Sequence, residues 1–219
     1  MNELVIIGEV LVIFATLLLC KKFFGREGVI AWVGFATILA NIITAKNANV
    51  FGLSTAIGTV MFASTFLATD ILAEYYSVED AKKAVKVGLF TNIVLIVSTQ
   101  IALLYIPSEF DYAHEAMQTL FSLNLRISVA SAAMYYIANM ADIYVFGKIK
   151  KKTNGRMLWL RNNVATILCN CLENFGFIGL AFAGIYDFGT IMTIAISTSI
   201  VEAFVAVLDT PFLYLAKKV

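Results

Sequence analysis

The segment Trp159 to Ala183 reads WLRNNVATILCNCLENFGFIGLAFA, and it carries Arg161, Asn162, Asn163, Asn170, Glu173 and Asn174 inside a run long and apolar enough to cross a bilayer. A carboxylate at the centre of a spanning helix costs about 2.5–3.5 kcal/mol on insertion scales. Such groups face a protein interior or a water-filled cavity and mark functional sites. Thr166, Asn170, Glu173 or Asn174, and Phe177 recur at helical spacing and so form one stripe. A carboxylate flanked by amides can accept and donate hydrogen bonds to a polar ligand. It can equally tie neighbouring helices together, and at this level both roles are open.

The elements that position these groups follow from composition. The 219 residues are 60% hydrophobic and 14% charged, with mean hydropathy +0.85. A soluble domain carries about 25% charge, so the chain is expected to be all-α: a polytopic transmembrane bundle forming a single integral membrane domain over 1–219. Runs of about 20 apolar residues give seven spans, at 3–24, 28–46, 56–76, 84–106, 124–148, 158–183 and 188–215. The acidic, amphipathic segment 107–123 is expected to lie along the surface as a helix. Cys169 and Cys171 point about 200° apart on a helix, so they cannot share a metal. The single histidine, His114, falls in a polar loop. No HExxH, GxSxG or Walker A pattern occurs, so neither an enzyme nor a cofactor is expected. The net charge of +1 gives no reason to expect nucleic acid.

Basic residues set the expected direction. Lys21, Lys22, Arg26, Lys82, Lys83, Lys86, Lys148, Lys150, Lys151, Lys152, Arg156, Arg161, Lys217 and Lys218 fall on one side if seven spans alternate, leaving Lys46 and Arg126 on the other. The positive-inside rule then places the N-terminus outside and the C-terminus in the cytoplasm. Pro211 is expected to kink the last span.

With direction assigned, the polar residues divide by depth. Glu173, Asn170, Asn174, Asn41, Lys46, Gln100, Tyr135 and Phe177 fall in the outer half and are candidates for a ligand pocket. Asp70, Glu74, Asn139, Asp142, Arg161 and Asn162 fall toward the cytoplasmic ends. Asp70 and Glu74, four apart, share a face, and Arg161 is available to pair with acids there. This second group is either an ion-pair network that locks helix ends or a gate that rearranges.

The stretches ANIITAKNANVFG, FLATDILAEYYSVEDAKKAV, RISVASAAMYYIANMADIYVFGKIKKKTNGRMLWLRNN and TILCNCLENFGFIGLAF occur in that order over about residues 40–183. With their embedded T-D-x-L-x-E, R-I-x-x-A-S, D-x-x-x-F and L-W-L-R-N-N patterns, they resemble the queuosine-precursor transporter family, also called the vitamin uptake transporter family. The sequence departs from the family pattern in carrying Ser77 where glycine is usual and Asn139 where glutamine is usual. It also has Asn170, Glu173 and Asn174 where Q-x-x-D-T is usual.

The resemblance implies import of 7-deazaguanines such as preQ0, preQ1 or queuine across the cytoplasmic membrane. It also implies kinship with the substrate-binding S components of energy-coupling-factor importers, hence a six-helix S-component-like core (28–219) preceded by an extra N-terminal helix (1–27). Glu173 would then read the ring N1–H and amine of a guanine-like edge as a bidentate pair, with Asn170 and Asn174 at other polar atoms and Tyr135 or Phe177 stacking. The alternative it leaves open is an S component for another vitamin or purine that needs separate energy-coupling subunits. A homo-oligomer is a further open expectation, and the lipid bilayer is the one obligatory partner.

Overall fold

In a computed structural model, which describes residues 1–121 and 125–219, the chain is a helical bundle with one small β-hairpin. The helices are α1 (Asn2–Ile43), α2 (Thr59–Tyr75), α3 (Val78–Leu103), α4 (His114–Phe121), α5 (Leu125–Lys152), α6 (Leu158–Phe182) and α7 (Phe188–Leu215). On length and composition, α1, α3, α6 and α7 can each cross a membrane, and α4 with α5, bent by 57°, make a fifth candidate. The bundle is therefore all-α and multi-pass. The start expected for the fifth span at residue 124, and residues 122–123 of the expected surface helix, lie outside the described residues.

α1 is not one straight rod. As a straight helix its 42 residues would extend about 63 Å. Gly25 instead takes φ 58 and ψ −143, a conformation open to glycine and strained for other residues. The chain folds back there, and Asn2 Nδ2 donates to Asn49 O at 2.8 Å, joining the two ends of the excursion. Each leg has one of the expected lengths, 3–24 and 28–46. Cys20 Sγ donates to Gly28 O across the bend.

Contacts at the helix ends then give the alternation. At the lysine-rich end, Lys21 Nζ donates to Ala216 O at 2.7 Å, and Tyr75 Oη donates to Leu213 O at 2.8 Å. Arg26 lies 3.5 Å from Asp80 there. At the far end, Gln100 Nε2 donates to Phe121 O at 2.6 Å, and Arg126 donates to Leu180 O and Ala183 O at 2.6 and 2.9 Å. Seven legs thus run up and down: the two of α1, then α2, α3, α5, α6 and α7.

Three boundaries differ from expectation. α3 begins at Val78 rather than 84, because Ser77 caps it: its Oγ accepts from Asp80 N at 3.0 Å, with Glu79 and Asp80 in the first turn. The expected helix at 107–123 is helical only from His114, where Asp111 Oδ1 accepts from two backbone N–H groups. Between α1 and α2 the chain forms an unexpected antiparallel hairpin, β1 (Asn47–Val50) with β2 (Leu53–Ala56). Phe51 and Gly52 both have positive φ, 52° and 77°, which is the two-residue turn that suits strand twist. α2 follows with 17 residues, about 25 Å against a hydrocarbon core of about 30 Å. The hairpin covers this shortfall, with Val50 and Thr55 buried.

The core is closed by small residues. Thr91 Oγ1 donates to Gly34 O, and Trp32 Nε1 donates to Ser64 Oγ at 3.0 Å, joining the second leg of α1 to α3 and α2. A Cβ on Gly58 would sit 2.7 Å from Ala40 O, so only glycine lets α2 start against α1.

Candidate functional site

Two polar centres lie inside the bundle. The first is about 22 Å from the lysine-rich start of α6, counting 1.5 Å per residue to Glu173. Glu173 is half-buried, and among the described residues no hydrogen bond reaches its carboxylate. One residue on, Asn174 turns about 100° round the helix and faces α7. Its Nδ2 donates to Glu202 Oε2 at 2.6 Å and to Ser199 Oγ at 3.2 Å. Asn170, one turn below Glu173, is buried and makes no side-chain hydrogen bond among the described residues. The sequence stripe therefore splits: Asn174 ties α6 to α7, while Glu173 and Asn170 remain available.

The other outer candidates are spread more widely. Tyr135 is 1% exposed, and its hydroxyl lies 3.5 Å from Thr37 Oγ1. A Cβ on Gly88 would fall 2.0 Å from that hydroxyl. Tyr135 thus occupies the junction of α1, α3 and α5, where in this conformation no face of its ring is presented to a ligand. Phe177 packs edge-on against Phe182. Asn41 Nδ2 donates to Thr37 O of its own helix. Lys46 is exposed beside the hairpin, with its backbone carbonyl accepting from Ile57 N. Gln100 is exposed and bound to α4's end, away from Glu173. An apolar groove of about 420 Å³ between α3 and α5 is lined by Leu89, Ile93, Val97, Val129 and Tyr136. It does not include Glu173.

The second centre lies about 6–20 Å from the lysine-rich ends of its helices by the same count. Asp70 (α2), Asp142 and Asn139 (α5), Asn162 and Thr166 (α6) and Asp209 (α7) are all fully buried. The Asp70 and Asp142 carboxyls are within hydrogen-bonding reach of each other. Asn162 Nδ2 donates to Asp209 Oδ1 and to Thr210 Oγ1, and Thr166 Oγ1 donates to Asp142 Oδ1 at 3.4 Å. Just below, Arg161, the largest fully buried side chain, pairs with Glu74 Oε2. Its Nη1 donates to Gly155 O and Arg156 O at 3.1 and 3.0 Å, and the guanidinium lies over the Phe146 ring. Lys150 Nζ shares the Glu74 carboxylate at 2.8 Å. The i,i+4 spacing of Asp70 and Glu74 does put both on one face, yet only Glu74 has a cation. Asp70 faces another acid.

The partner of Glu202 escaped sequence reasoning. Glu202 had no evident partner, although it stands about 20 Å from the end of α7 and so level with Asn174. Asp209 and Asn162 likewise sit at equal depth, six and four residues from the lysine-rich ends of α7 and α6. Equal depth on adjacent antiparallel helices was the available signal.

A sequence profile for a family described as "Putative vitamin uptake transporter" matches residues 56–216. A relative from Bacillus subtilis (strain 168), named "Probable queuosine precursor transporter", is 35% identical over 206 residues, covering 94% of this chain and 90% of the relative. A relative of the same name from Haemophilus influenzae is 30% identical over 135 residues, 62% of this chain and 55% of that protein. No solved structure matches the chain.

Proposed function

Because the chain belongs to the vitamin uptake transporter family, we propose that it imports queuosine precursors, 7-deazaguanines of the preQ0, preQ1 and queuine type, for tRNA modification. The observation that carries this reading is the near full-length similarity to the B. subtilis relative, together with a transmembrane carboxylate that no described residue satisfies. Glu173 accepts the ring N1–H and exocyclic amine of the ligand, and Asn170 meets its carbonyl or pyrrole N–H. Each charge-assisted bond contributes about 1.5–3 kcal/mol. Tyr135 and Phe177 stack on the heterocycle only after the helices around Thr37 and Gly88 part. Asn41, Lys46 and Gln100 line the approach rather than the pocket.

The lysine-rich end is cytoplasmic on this reading, and the hairpin and N-terminus lie outside. Cysteines placed at residues 109–115 should react with impermeant reagents from outside; reaction only from the cytoplasm would reverse the topology. The substrate is tested by thermal shift of the purified protein with preQ0, preQ1, queuine, guanine and biotin. Stabilisation by deazaguanines and not by biotin is expected, and equal indifference to all would refute the assignment. The rival reading, an S component driven by separate energy-coupling subunits, would need an exposed docking face. Ala36 and Ala40, the small-residue pair suited to such docking, are both fully buried within this chain. Uptake by the purified protein alone in liposomes is therefore expected.

A further inference from the structure

The inner centre holds more acceptors than its surroundings can satisfy. Both oxygens of Asp70, Oδ2 of Asp142, Oδ2 of Asp209, and the amide oxygens of Asn139 and Asn162 are buried, and among the described residues none receives a hydrogen bond. Asn162 is fully buried and points into the cluster, since its Nδ2 binds Asp209. Six acceptor atoms on four helices thus converge with a shortage of donors. Two ionised carboxylates in contact repel in a dry interior, where a single shared proton turns the contact into a hydrogen bond.

The surrounding charges do not remove this need. On α2, Glu74 adds another negative charge. On α6, Arg161 reaches Asp70 only at a distance while it binds Glu74 directly, and Cys169 is apolar-packed. On α5, Lys150 also binds Glu74. On α7, Asp209 is a third acid. From α1, Lys21 sits over the Tyr75 ring, and on α3 Asp80 is paired with Arg26. Among the described residues no three His, Cys, Asp or Glu side chains are arranged to hold a metal ion, and a proton is the simplest partner that two facing carboxylates require.

We propose that Asp70 and Asp142 share one proton and that this pair couples transport to proton movement, one proton entering with each substrate. The coupling builds on the transporter reading and not on which deazapurine is carried. In the step, a proton from water on the hairpin side binds a carboxylate oxygen of the pair. The resulting O–H···O contact lets α2 and α5 close, and the proton leaves to water at the lysine-rich end. No other bond changes and nothing is oxidised. Removing the proton leaves two adjacent negative charges, which disfavours the sealed arrangement and biases the bundle toward a state open to water.

The test has two arms. Infrared spectroscopy on the purified protein in lipid, with carbon-13 aspartate, reads the C=O stretch of a protonated carboxyl without any substrate. The band is expected at neutral pH and should vanish in both Asp70→Asn and Asp142→Asn. Its absence from the wild type overturns the proposal even if a variant fails to fold. In proteoliposomes, a gradient of about one pH unit, alkaline inside, should support about tenfold preQ1 accumulation at one proton per substrate, and a protonophore should abolish it. Uptake indifferent to the pH gradient, or driven by a sodium gradient instead, overturns the coupling. If no preQ1 enters under any gradient, the reading of this chain as a self-sufficient importer falls, and the infrared arm still decides the pair.

Discussion

The two polar centres share α6 and α7 but handle charge in opposite ways. Around Glu173 the acids are held apart: Asn174 engages Glu202, and Glu173 is left half-buried and uncommitted. Around Asp70 the acids are driven together and sealed, with the nearest cation engaged by Glu74. A carboxylate left without a partner among the described residues suits a ligand that comes and goes. Carboxyls sealed against one another suit a group that must be neutralised from within. Under the two proposed roles, depth from the lysine-rich end, more than residue type, separates a binding position from a coupling position.

The contrast can be broken most sharply at Glu173. Glu173→Ala should lower deazaguanine affinity by about 100-fold or more, two charge-assisted bonds of about 1.5–3 kcal/mol each being lost. Melting without ligand should barely move, since no described residue depends on this carboxylate. A titration by thermal shift reads both, and unaltered binding would return Glu173 to a packing role.

Arg161→Ala should do the reverse. It leaves Glu74 to Lys150 alone and frees two loop carbonyls, at about 3–5 kcal/mol for breaking a buried pair. A large drop in melting temperature with ligand affinity retained in the folded fraction is expected. An unchanged melting curve would mean that the lower centre is open to water.

A smaller effect, about 1–3 kcal/mol of overpacking, is expected from Gly88→Ala, whose methyl would strike the Tyr135 hydroxyl. Tyr135→Phe in the same chain should recover much of that loss. Failure to recover would show that the hydroxyl's contact with Thr37, not space, is what matters at this junction.

The least effect is expected from Asp187, remote from both centres. Hydrogen bonds from the Thr190 hydroxyl and backbone N–H hold its carboxyl below the usual range. Its contribution as the N-cap of α7 is therefore present at neutral pH and lost as pH falls through its folded-state value. Asp187→Ala should remove that slight acid sensitivity of melting while leaving uptake unaltered.

Much of this arrangement was legible in the residues. Apolar runs placed the legs to within a few positions, and lysine clusters marked one end of the bundle. Glu173 stood out because a charge in an apolar run is costly. The hairpin was not legible: Asn47 to Ala56 has too little apolar alternation to compete with the spans beside it, and its signal lay in Phe51–Gly52. The facing of Asp70 toward Asp142 was also hidden. Helical spacing says which groups share a face, whereas only packing decides whether that face meets a cation or another acid. Ser77, which in the sequence stood out only as a departure from the family's glycine, is a helix cap because Asp80 follows at the right offset.

The reversal at Gly25 also bears on how the protein enters the membrane. With Lys21, Lys22 and Arg26 at its apex, the fold-back makes residues 2–43 a self-contained pair of antiparallel legs. Such a pair can partition from the insertion machinery as a unit, its cationic apex retained on the side of synthesis. On the proposed topology, that apex biases the orientation of the later legs before Glu173 or Asp70 has been translated.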